Sequence, residues 1–425
     1  MERDRFPHSC FASAFPLAAL LWTSCLAPLL LPAQEMLTPA EYTGVNIPVS
    51  DLAIFEAGID RSDLRCKVER ADAVLGFDMN FHAGYQAELP LSEVGDGENT
   101  LSVLFRIYPV ERPKEKRYFL QRFRVPEFPE LAEGESPKGN AYLEGSVLAG
   151  AGKYKMDWLM RDRRERVCAS SWTFDVEPYT QGEALPITLT PGVVRSAPAH
   201  PFQDFHEVTV PKDETRASLH VKLLVHFAPL NLKSATLQPV DLAALLSIVR
   251  SVARDERVGQ VSLVVFNVRE QRVLYRQTAV DRVDYGAVGK AIDSLQQGTI
   301  RYSLLADKNS DTRFLTNLIT AEMSTENPVD AMIFVGPKVL LEENPPKDML
   351  SEAGEVQFPL FYVNYNLNPR ENPWRDAIGH AVKYYRGAEF TVYRPQDLYQ
   401  AVRKMFTEIE DYRTRKVAAN PTIGQ

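Results

Sequence analysis

A short apolar run, residues 219–227, constrains the fold of this chain more than any other feature. It alternates between apolar and polar residues at its start and is continuously apolar from Leu223 to Val225. A run of this kind is typical of a strand that is buried on both faces at the centre of a parallel sheet. Because helices cover both faces of such a sheet, the run predicts an α/β domain in the second half of the chain.

Strand-like and helix-like segments alternate after residue 218. Helices are predicted over residues 241–253, 285–295, 313–323, 374–385 and 396–409. Further strands are predicted over residues 261–266, 272–276, 331–335, 358–363 and 390–393. The short connection at residues 268–271 makes the second and third strands an antiparallel edge hairpin. This order predicts a doubly wound, Rossmann-like α/β sheet with one antiparallel strand.

Residues 64–176 follow a different pattern, in which apolar residues recur at every second position. Leu101, Val103, Phe105 and Ile107, for example, alternate with mostly polar neighbours. Turn-forming residues separate such runs at the spacing expected of hairpins. About eight short antiparallel strands are therefore expected, in an all-β sandwich of immunoglobulin-like architecture.

The chain has 425 residues, which is enough for two or three domains with sizeable cores. Its net charge of −8 disfavours a nucleic-acid-binding protein or one that is drawn to anionic lipid. The predicted organisation is a signal peptide (1–33), an extended lead-in (34–60), the β-sandwich (61–177), a proline-rich linker (178–216), the α/β domain (217–413) and a flexible tail (414–425).

The N-terminal segment has the composition of an export signal. Residues 11–31 are apolar and almost uncharged, and Pro16 and Pro28 interrupt them, which disfavours a stable membrane helix. Ala33 precedes a candidate cleavage site before Gln34. We therefore expect a secreted or periplasmic protein whose mature chain starts near Gln34. A retained N-terminal anchor is the alternative. A lipoprotein signal that ends at Cys25 has less support, because Trp22 stands where a small aliphatic residue is expected.

Two cysteines, Cys66 and Cys168, would remain after cleavage of the signal. Both lie on the apolar phase of strand-like runs. An even pair of cysteines in an exported protein is a disulfide candidate, since two inward-facing side chains on different strands can meet in a sandwich core. Two separate buried thiols are the alternative.

The order of strands and helices over residues 218–412 resembles the von Willebrand factor type A (vWA) domain. The apolar run 223–225 and residues 261–267 and 330–336 have the character of its first, second and fourth strands. Residues 387–390 and the helix that follows them resemble the final strand and helix of this domain. The whole chain resembles exported bacterial proteins in which a β-rich region precedes a domain of this type. The resemblance implies a sheet whose carboxyl edge binds another protein.

The metal-ion-dependent adhesion site (MIDAS) of vWA domains is the part that this sequence lacks. The family holds a divalent cation with an Asp-x-Ser-x-Ser motif, a threonine and a further aspartate, and a ligand carboxylate completes the shell. The motif positions here carry His226, Ala228 and Leu230, and the later aspartate position carries Gly336, with Lys338 nearby. None of them supplies a carboxylate. The resemblance therefore implies a degenerate MIDAS, and no metal or other cofactor is expected.

The candidate partner-binding residues follow predicted strands, at the edge where open α/β sheets bind ligands. One follows the central strand, one follows the fourth strand, and the others lie in a loop that mixes amide, arginine and aromatic side chains typical of binding surfaces. They are His226, Lys338, Asn364, Tyr365, Asn366, Arg370 and Trp374. A structural histidine and a loop built from turn-forming residues are the alternatives.

The expected function is that of an exported protein-interaction or scaffold protein whose vWA-like domain binds a protein partner without metal. No nucleic-acid partner is expected, and membrane contact is expected only through the export signal. One alternative is a hydrolase-type enzyme that uses the crevice around His226, Lys338 and Arg370. Another is a structural component of an envelope assembly. A perturbed His226 with a carboxylate in hydrogen-bond reach would favour the enzyme.

Overall fold

The computed structural model describes residues 35–37, 47–94, 99–125, 137–178, 185–198, 201–202, 218–231, 234, 236–295, 307, 309–323, 328–368, 370, 373 and 375–419. The predicted signal peptide, its cleavage site and most of the predicted linker lie outside these residues. The described residues fall within one compact unit, Pro32–Gln425.

The strands described before residue 197 form two antiparallel sheets. They are β1 (Glu35–Leu37), β2 (Arg61–Ser62), β3 (Lys67–Leu75), β4 (Phe81–Pro90), β5 (Asn99–Pro109), β6 (Arg117–Val125), β7 (Asn140–Ala149), β8 (Gly152–Arg161), β9 (Val167–Val176) and β10 (Val194–Ser196). One sheet has the order β1-β6-β5-β8-β9-β2 and the other β10-β7-β4-β3.

Side chains from both sheets meet in one core. Tyr85 of β4 contacts the rings of Phe105 and Trp158 in the opposite sheet, with centroids 5.6 Å and 5.3 Å away. These residues are fully buried, as the period-two pattern predicted. The Sγ atoms of Cys66 and Cys168 are bonded, and their Cα atoms lie 6.2 Å apart, within the range of a disulfide.

The predicted extended lead-in contains a helix, α1 (Val49–Ala57). Phe55 packs on the outer face of the six-stranded sheet, against Leu104 and Leu159. The buried Arg106 donates a hydrogen bond to the carbonyl of Phe55 (2.9 Å) and another to Asp157 (2.6 Å). Tertiary contacts stabilise this helix, so the expectation of an extended segment does not hold for these residues.

The C-terminal sheet has the order β13-β12-β11-β14-β15-β16. Its strands are β11 (Leu219–His226), β12 (Val258–Asn267), β13 (Arg272–Val280), β14 (Ala331–Gly336), β15 (Leu360–Tyr365) and β16 (Ala388–Val392). All neighbouring pairs are parallel except β12 and β13, which are antiparallel. The structure therefore confirms a mixed, mostly parallel sheet after an antiparallel β region.

Helices cover both faces of this sheet. They are α2 (Pro239–Ala253), α3 (Tyr285–Asp293), α4 (Ser310–Met323), α5 (Lys347–Ser351), α6 (Ala377–Tyr384) and α7 (Pro395–Ala419). Leu223 belongs to the core under α2, α3 and α7, whereas Leu224 belongs to the core under α4 and α6. Because α7 reaches Ala419, residues 414–419 are helical, although they were predicted as part of a flexible tail. No helix in the described part of the chain is long and apolar enough to span a membrane.

The turn between β3 and β4 connects the β-sandwich to the α/β region. Met79, at the tip of this turn, is buried in the core formed by β11, α2, α3 and α7, and Phe77 packs against the same core. Phe202 also packs there, and its ring lies so close to α3 that a Cβ on Gly289 would come within 2.9 Å of it. The two regions therefore share apolar contacts.

Candidate functional site

The carboxyl ends of the parallel strands bring several predicted residues to one edge of the sheet. Val225 pairs with Val335 and Gly336 pairs with Asn364, so His226, Gly336 and Asn364 lie at or next to the ends of three adjacent strands. This edge is the place where an α/β sheet of this kind binds ligands.

His226 is buried at this edge, with 4% of its surface exposed. Its ring stacks on Phe266 at 5.2 Å, and Nδ1 lies 3.5 Å from the Phe266 carbonyl oxygen. Burial lowers the pKa of His226 to about 4, so the imidazole is neutral at neutral pH. Because the His226 ring is neutral, buried and next to a backbone carbonyl, its role is in packing.

Gly336 lies against His226 from the neighbouring strand. Its φ is +154°, and a Cβ at this position would come within 2.8 Å of His226 Cβ and 2.9 Å of its carbonyl oxygen. Real Cβ atoms do not approach other atoms so closely. The packing of the two strands therefore sterically excludes an aspartate at position 336, where the resemblance to vWA domains would place one.

Asp241, which the sequence analysis did not single out, fixes the loop after β11 through hydrogen bonds. Its carboxylate accepts hydrogen bonds from the backbone N–H groups of Gln238 (3.0 Å) and Leu230 (3.3 Å) and from the hydroxyl of Tyr365 (3.0 Å). Burial, together with the charge of Asp241, raises the pKa of Tyr365 well above its usual value. The sequence signal for this role of Asp241 was its position as an acidic residue in the first turn of a predicted helix.

A polar cluster lies at the ends of β15 and β16. Asn364 Nδ2 donates to Glu389 Oε1 at 2.5 Å and to Thr391 Oγ1 at 3.2 Å. Lys338 Nζ lies 3.7 Å from the same Glu389 oxygen and donates to the Pro373 carbonyl at 3.1 Å. Lys338 is therefore tied to its own domain through two contacts.

Asp376 completes this cluster as the N-cap of α6. Its Oδ1 accepts hydrogen bonds from the N–H groups of Val339 (3.0 Å) and Ile378 (3.2 Å). Burial raises the pKa of Asp376 to about 6, and the nearby charge of Glu389 raises it further in the same direction. The sequence analysis named neither acid, because their approach depends on the packing of α6 against β16.

The candidate residues fall into two groups. His226, Asn364, Tyr365 and Asn366 are all buried. Their predicted role as contact residues is corrected, since these side chains support the edge from within and do not form its surface. Arg370 is exposed and Lys338 partly so. Trp374 lies outside the described residues.

The surface of the edge also carries an apolar residue that sequence reasoning missed. Leu340, in the loop after β14, is 42% exposed, whereas its neighbour Val339 is buried. The sequence could not predict that Leu340 is exposed, because the exposure of a residue in a short loop depends on how that loop packs. The described surface of this edge thus includes Lys338, Leu340 and Arg370.

The donor set at this edge does not fit a divalent metal ion. The positions at which the sequence analysis expected a degenerate MIDAS carry a buried imidazole, two aliphatic side chains and a glycine without space for a side chain. Hard divalent cations need several oxygen ligands, usually with carboxylates among them. Within the described ranges, no three His, Cys, Asp or Glu side chains are grouped to hold a metal ion.

No protein-family model matches this chain, and no curated protein sequence matches it. Among solved structures, the chain is similar to BatB from Bacteroides thetaiotaomicron, with 14% identity, a TM-score of 0.30, and coverage of 46% of this chain and 100% of that one. It is also similar to the PilB minor pilin from Streptococcus sanguinis, with 7% identity, a TM-score of 0.25, and coverage of 73% and 87%.

A third similar structure is β-glucuronidase 2 from Bacteroides uniformis, with 9% identity and a TM-score of 0.17. This match covers 83% of the present chain but 30% of the enzyme. Similarities at these identities and scores assign no family and no activity. The fold described above therefore rests on the observed strand order and packing.

Proposed function

We propose that residues 217–413 form a vWA-type interaction domain that binds a protein partner without a metal ion, in an exported protein. The sheet order supports this proposal, because a central parallel sheet with one antiparallel edge strand is what the vWA resemblance implies. The packing of Gly336 against His226 is the observation that carries it. In this proposal, the neutral contact between Gly336 and His226 occupies the position at which a vWA domain would hold its metal ion.

Recognition at this edge would use direct contacts between side chains. A vWA domain with a metal ion captures a partner carboxylate through that ion, whereas an exposed arginine can bind a carboxylate with two parallel hydrogen bonds. Arg370 is exposed in the loop after β15. Leu340 adds an apolar contact on the same edge. We therefore propose a protein segment with an acidic side chain as the partner.

We also propose that the β-sandwich has an immunoglobulin-like topology. It would act as a rigid support for the binding domain. The buried tip of the β3–β4 turn supports this role, because Met79 contributes to the core of the α/β region. A scaffold that presents one binding edge in a fixed direction needs such a joint.

The hydrolase alternative has less support. His226 is buried, its ring nitrogen faces a backbone carbonyl, and its pKa is lowered, so it is placed to neither contact substrate nor exchange protons near neutral pH. Lys338 is engaged with Glu389 and the Pro373 carbonyl. These contacts favour a structural use of the residues that the enzyme would require.

The test is a binding experiment with partners captured by the full chain from the envelope fraction of its own cells. Arg370→Glu should weaken binding roughly tenfold to a hundredfold, as expected for loss of a charge-assisted hydrogen bond. Lys404→Glu, an exposed substitution on α7, is the matched control and should leave the affinity unchanged. A chelator should also have no effect.

Calorimetry with Mg²⁺, Mn²⁺ and Ca²⁺ completes the test and should show no binding at this edge. Chelator-sensitive partner binding would contradict the metal-free mechanism. Equal affinities for Arg370→Glu and the wild type would contradict the assignment of the edge. Turnover of a substrate that His226→Leu abolishes would favour the hydrolase.

A further inference from the structure

The carboxyl groups of Asp376 and Glu389 face the same small space beside Gly379. A Cβ on Gly379 would lie 3.2 Å from Asp376 Oδ2 and 3.2 Å from Glu389 Oε2. Asp376 comes from the start of α6 and Glu389 from β16, so the pair joins two elements. Asp376 Oδ2 is buried, whereas the side chain of Glu389 is 38% exposed. Two carboxylates that border one space repel each other when both are ionised.

The other oxygen of each carboxyl group already has partners. Asp376 Oδ1 accepts from the N–H groups of Val339 and Ile378, and Glu389 Oε1 accepts from Asn364 Nδ2 and lies near Lys338 Nζ. Asp376 Oδ2, in contrast, is buried without a hydrogen-bond partner among the described residues. The Gly379 N–H and the Tyr362 hydroxyl approach the Asp376 carboxyl group and lower its pKa, but neither makes a hydrogen bond of normal geometry to Oδ2, so this buried oxygen is able to hold a proton.

Asn364 is a third polar residue of this cluster. Its side chain is fully buried, and its Nδ2 bonds place the amide group inside the cluster, between Glu389 and Thr391. Its Oδ1 is buried and has no donor among the described residues. The cluster thus holds two buried acceptor atoms without donors, one on Asn364 and one on Asp376.

The charged and titratable neighbours decide which acid holds a proton. Lys338 lies 3.7 Å from Glu389 Oε1 and favours the ionised form of Glu389. Tyr362, from β15, donates its hydroxyl hydrogen to the Pro337 carbonyl at 3.1 Å, and the same hydroxyl lies close enough to Asp376 to lower the pKa of that acid. Arg375, beside Asp376 in sequence, donates to the Glu342 carbonyl at 3.2 Å. Asp376 is therefore the member of the pair that carries the proton.

We propose that Asp376 and Glu389 share one proton, bound to Asp376 Oδ2, and that this proton latches α6 and the loop after β14 to β16. In the latched state the Oδ2–H group donates to Glu389 Oε2, while Glu389 stays ionised. When the latch opens, the proton passes to water and both carboxylates become negative. The repulsion then acts on the start of α6 and, through the Val339 N–H, on the loop that carries Leu340.

The latch operates within a range of pH that cells reach. The pKa of Asp376 is raised to about 6, mainly by burial and further by Glu389. Its stabilising contribution is fully present below the pKa of an unfolded aspartate, 3.8, and is lost as the pH rises through about 6. This inference does not depend on the proposed partner, because it concerns the unliganded chain.

The test compares unfolding of the full-length wild type with two isosteric variants between pH 4 and pH 8. Asp376→Asn keeps an acceptor for Val339 and Ile378 and supplies a permanent donor to Glu389. The unfolding equilibrium constant of the wild type, relative to Asp376→Asn, should therefore rise about a hundredfold from pH 4 to pH 7. Glu389→Gln removes the partner charge, so its rise with pH should be smaller than that of the wild type.

Parallel pH profiles of the wild type and Asp376→Asn would overturn the proposal. A profile of Glu389→Gln identical to that of the wild type would also overturn it, because burial alone would then hold the proton. If Asp376→Asn does not fold, carbon NMR of the wild-type carboxyl groups decides. A buried aspartate that titrates near pH 6, and at lower pH in Glu389→Gln, supports the latch, and titration below pH 5 in the wild type rejects it.

Discussion

Gly336 and His226 are packed so closely that a Cβ on Gly336 would lie 2.8 Å from the Cβ of His226. The two residues end adjacent parallel strands, β14 and β11, at the carboxyl edge of the sheet. These are two of the positions at which the sequence analysis compared this chain with the MIDAS of vWA domains. Here the same geometry leaves space for a histidine ring and no space for a second side chain.

Gly336→Ala should destabilise the protein by about 1–3 kcal/mol, because the new methyl group overlaps His226 and strains the backbone. Gly354→Ala is the matched control, since Gly354 also has a positive φ of +73° but no atom within 4 Å of its Cβ position. The control should show only the backbone cost, about 1 kcal/mol. Urea unfolding of both variants measures the difference, and equal losses would show that the His226 contact is not tight.

The sequence predicted the larger features of the fold because each has a local periodic signal. Phe105 and its neighbours on β5 face the sandwich core at every second residue, and the continuous apolar run of β11 indicates burial on both faces. The helix α1 gave no such signal. It is stabilised by tertiary contacts, including the hydrogen bond from Arg106 to the Phe55 carbonyl, which no local pattern records.

The candidate site was predictable in location but not in arrangement. Strand ends placed His226 and Asn364 at one edge correctly, because parallel strands end together. Which side chains face solvent depends on how the loops pack, and four candidates proved to be buried. The approach of Asp376 to Glu389 depends on packing between α6 and β16, which a single sequence does not specify.

Glu322→Ala should destabilise the chain by about 3–5 kcal/mol, because it removes the Glu322 carboxylate from its buried ion pair with the ammonium of Lys222. Lys222 Nζ lies 3.2 Å from Glu322 Oε2, and both side chains are buried. Lys222→Met should cost less, since Glu322 keeps its ion pair with Arg276. Denaturant unfolding of the two variants gives the comparison. A larger loss for Lys222→Met would contradict this account.

Loss of the bond between Cys66 and Cys168 should cost about 4–5 kcal/mol, the chain-entropy value for a loop of this size. The two cysteines are 102 residues apart in sequence and belong to the same sandwich. Thiol labelling of the unfolded, unreduced chain should modify neither cysteine, and Cys66→Ser should unfold at lower denaturant concentration than the wild type. Two reactive thiols in the unreduced chain would contradict the disulfide.

His226 should make the protein less stable in acid, because burial lowers its pKa from 6.5 to about 4. Below pH 6.5 His226 is protonated in the unfolded chain but stays neutral in the folded chain. The contribution of His226 to folding stability is therefore present above pH 6.5 and is lost as the pH falls to about 4. A shift of this size corresponds to about 3 kcal/mol. Asp376 acts with the opposite sign, since its pKa is raised.

The two effects can be separated by comparing His226→Leu with Asp376→Asn. The free energy of unfolding of the wild type, relative to His226→Leu, should fall as the pH is lowered from 7 to 4. Relative to Asp376→Asn, it should fall as the pH is raised over the same range. Leucine has a volume close to that of histidine and fits the apolar contact with Phe266, so the comparison isolates the proton. Equal pH profiles for the wild type and His226→Leu would show that the imidazole is accessible to solvent and titrates normally.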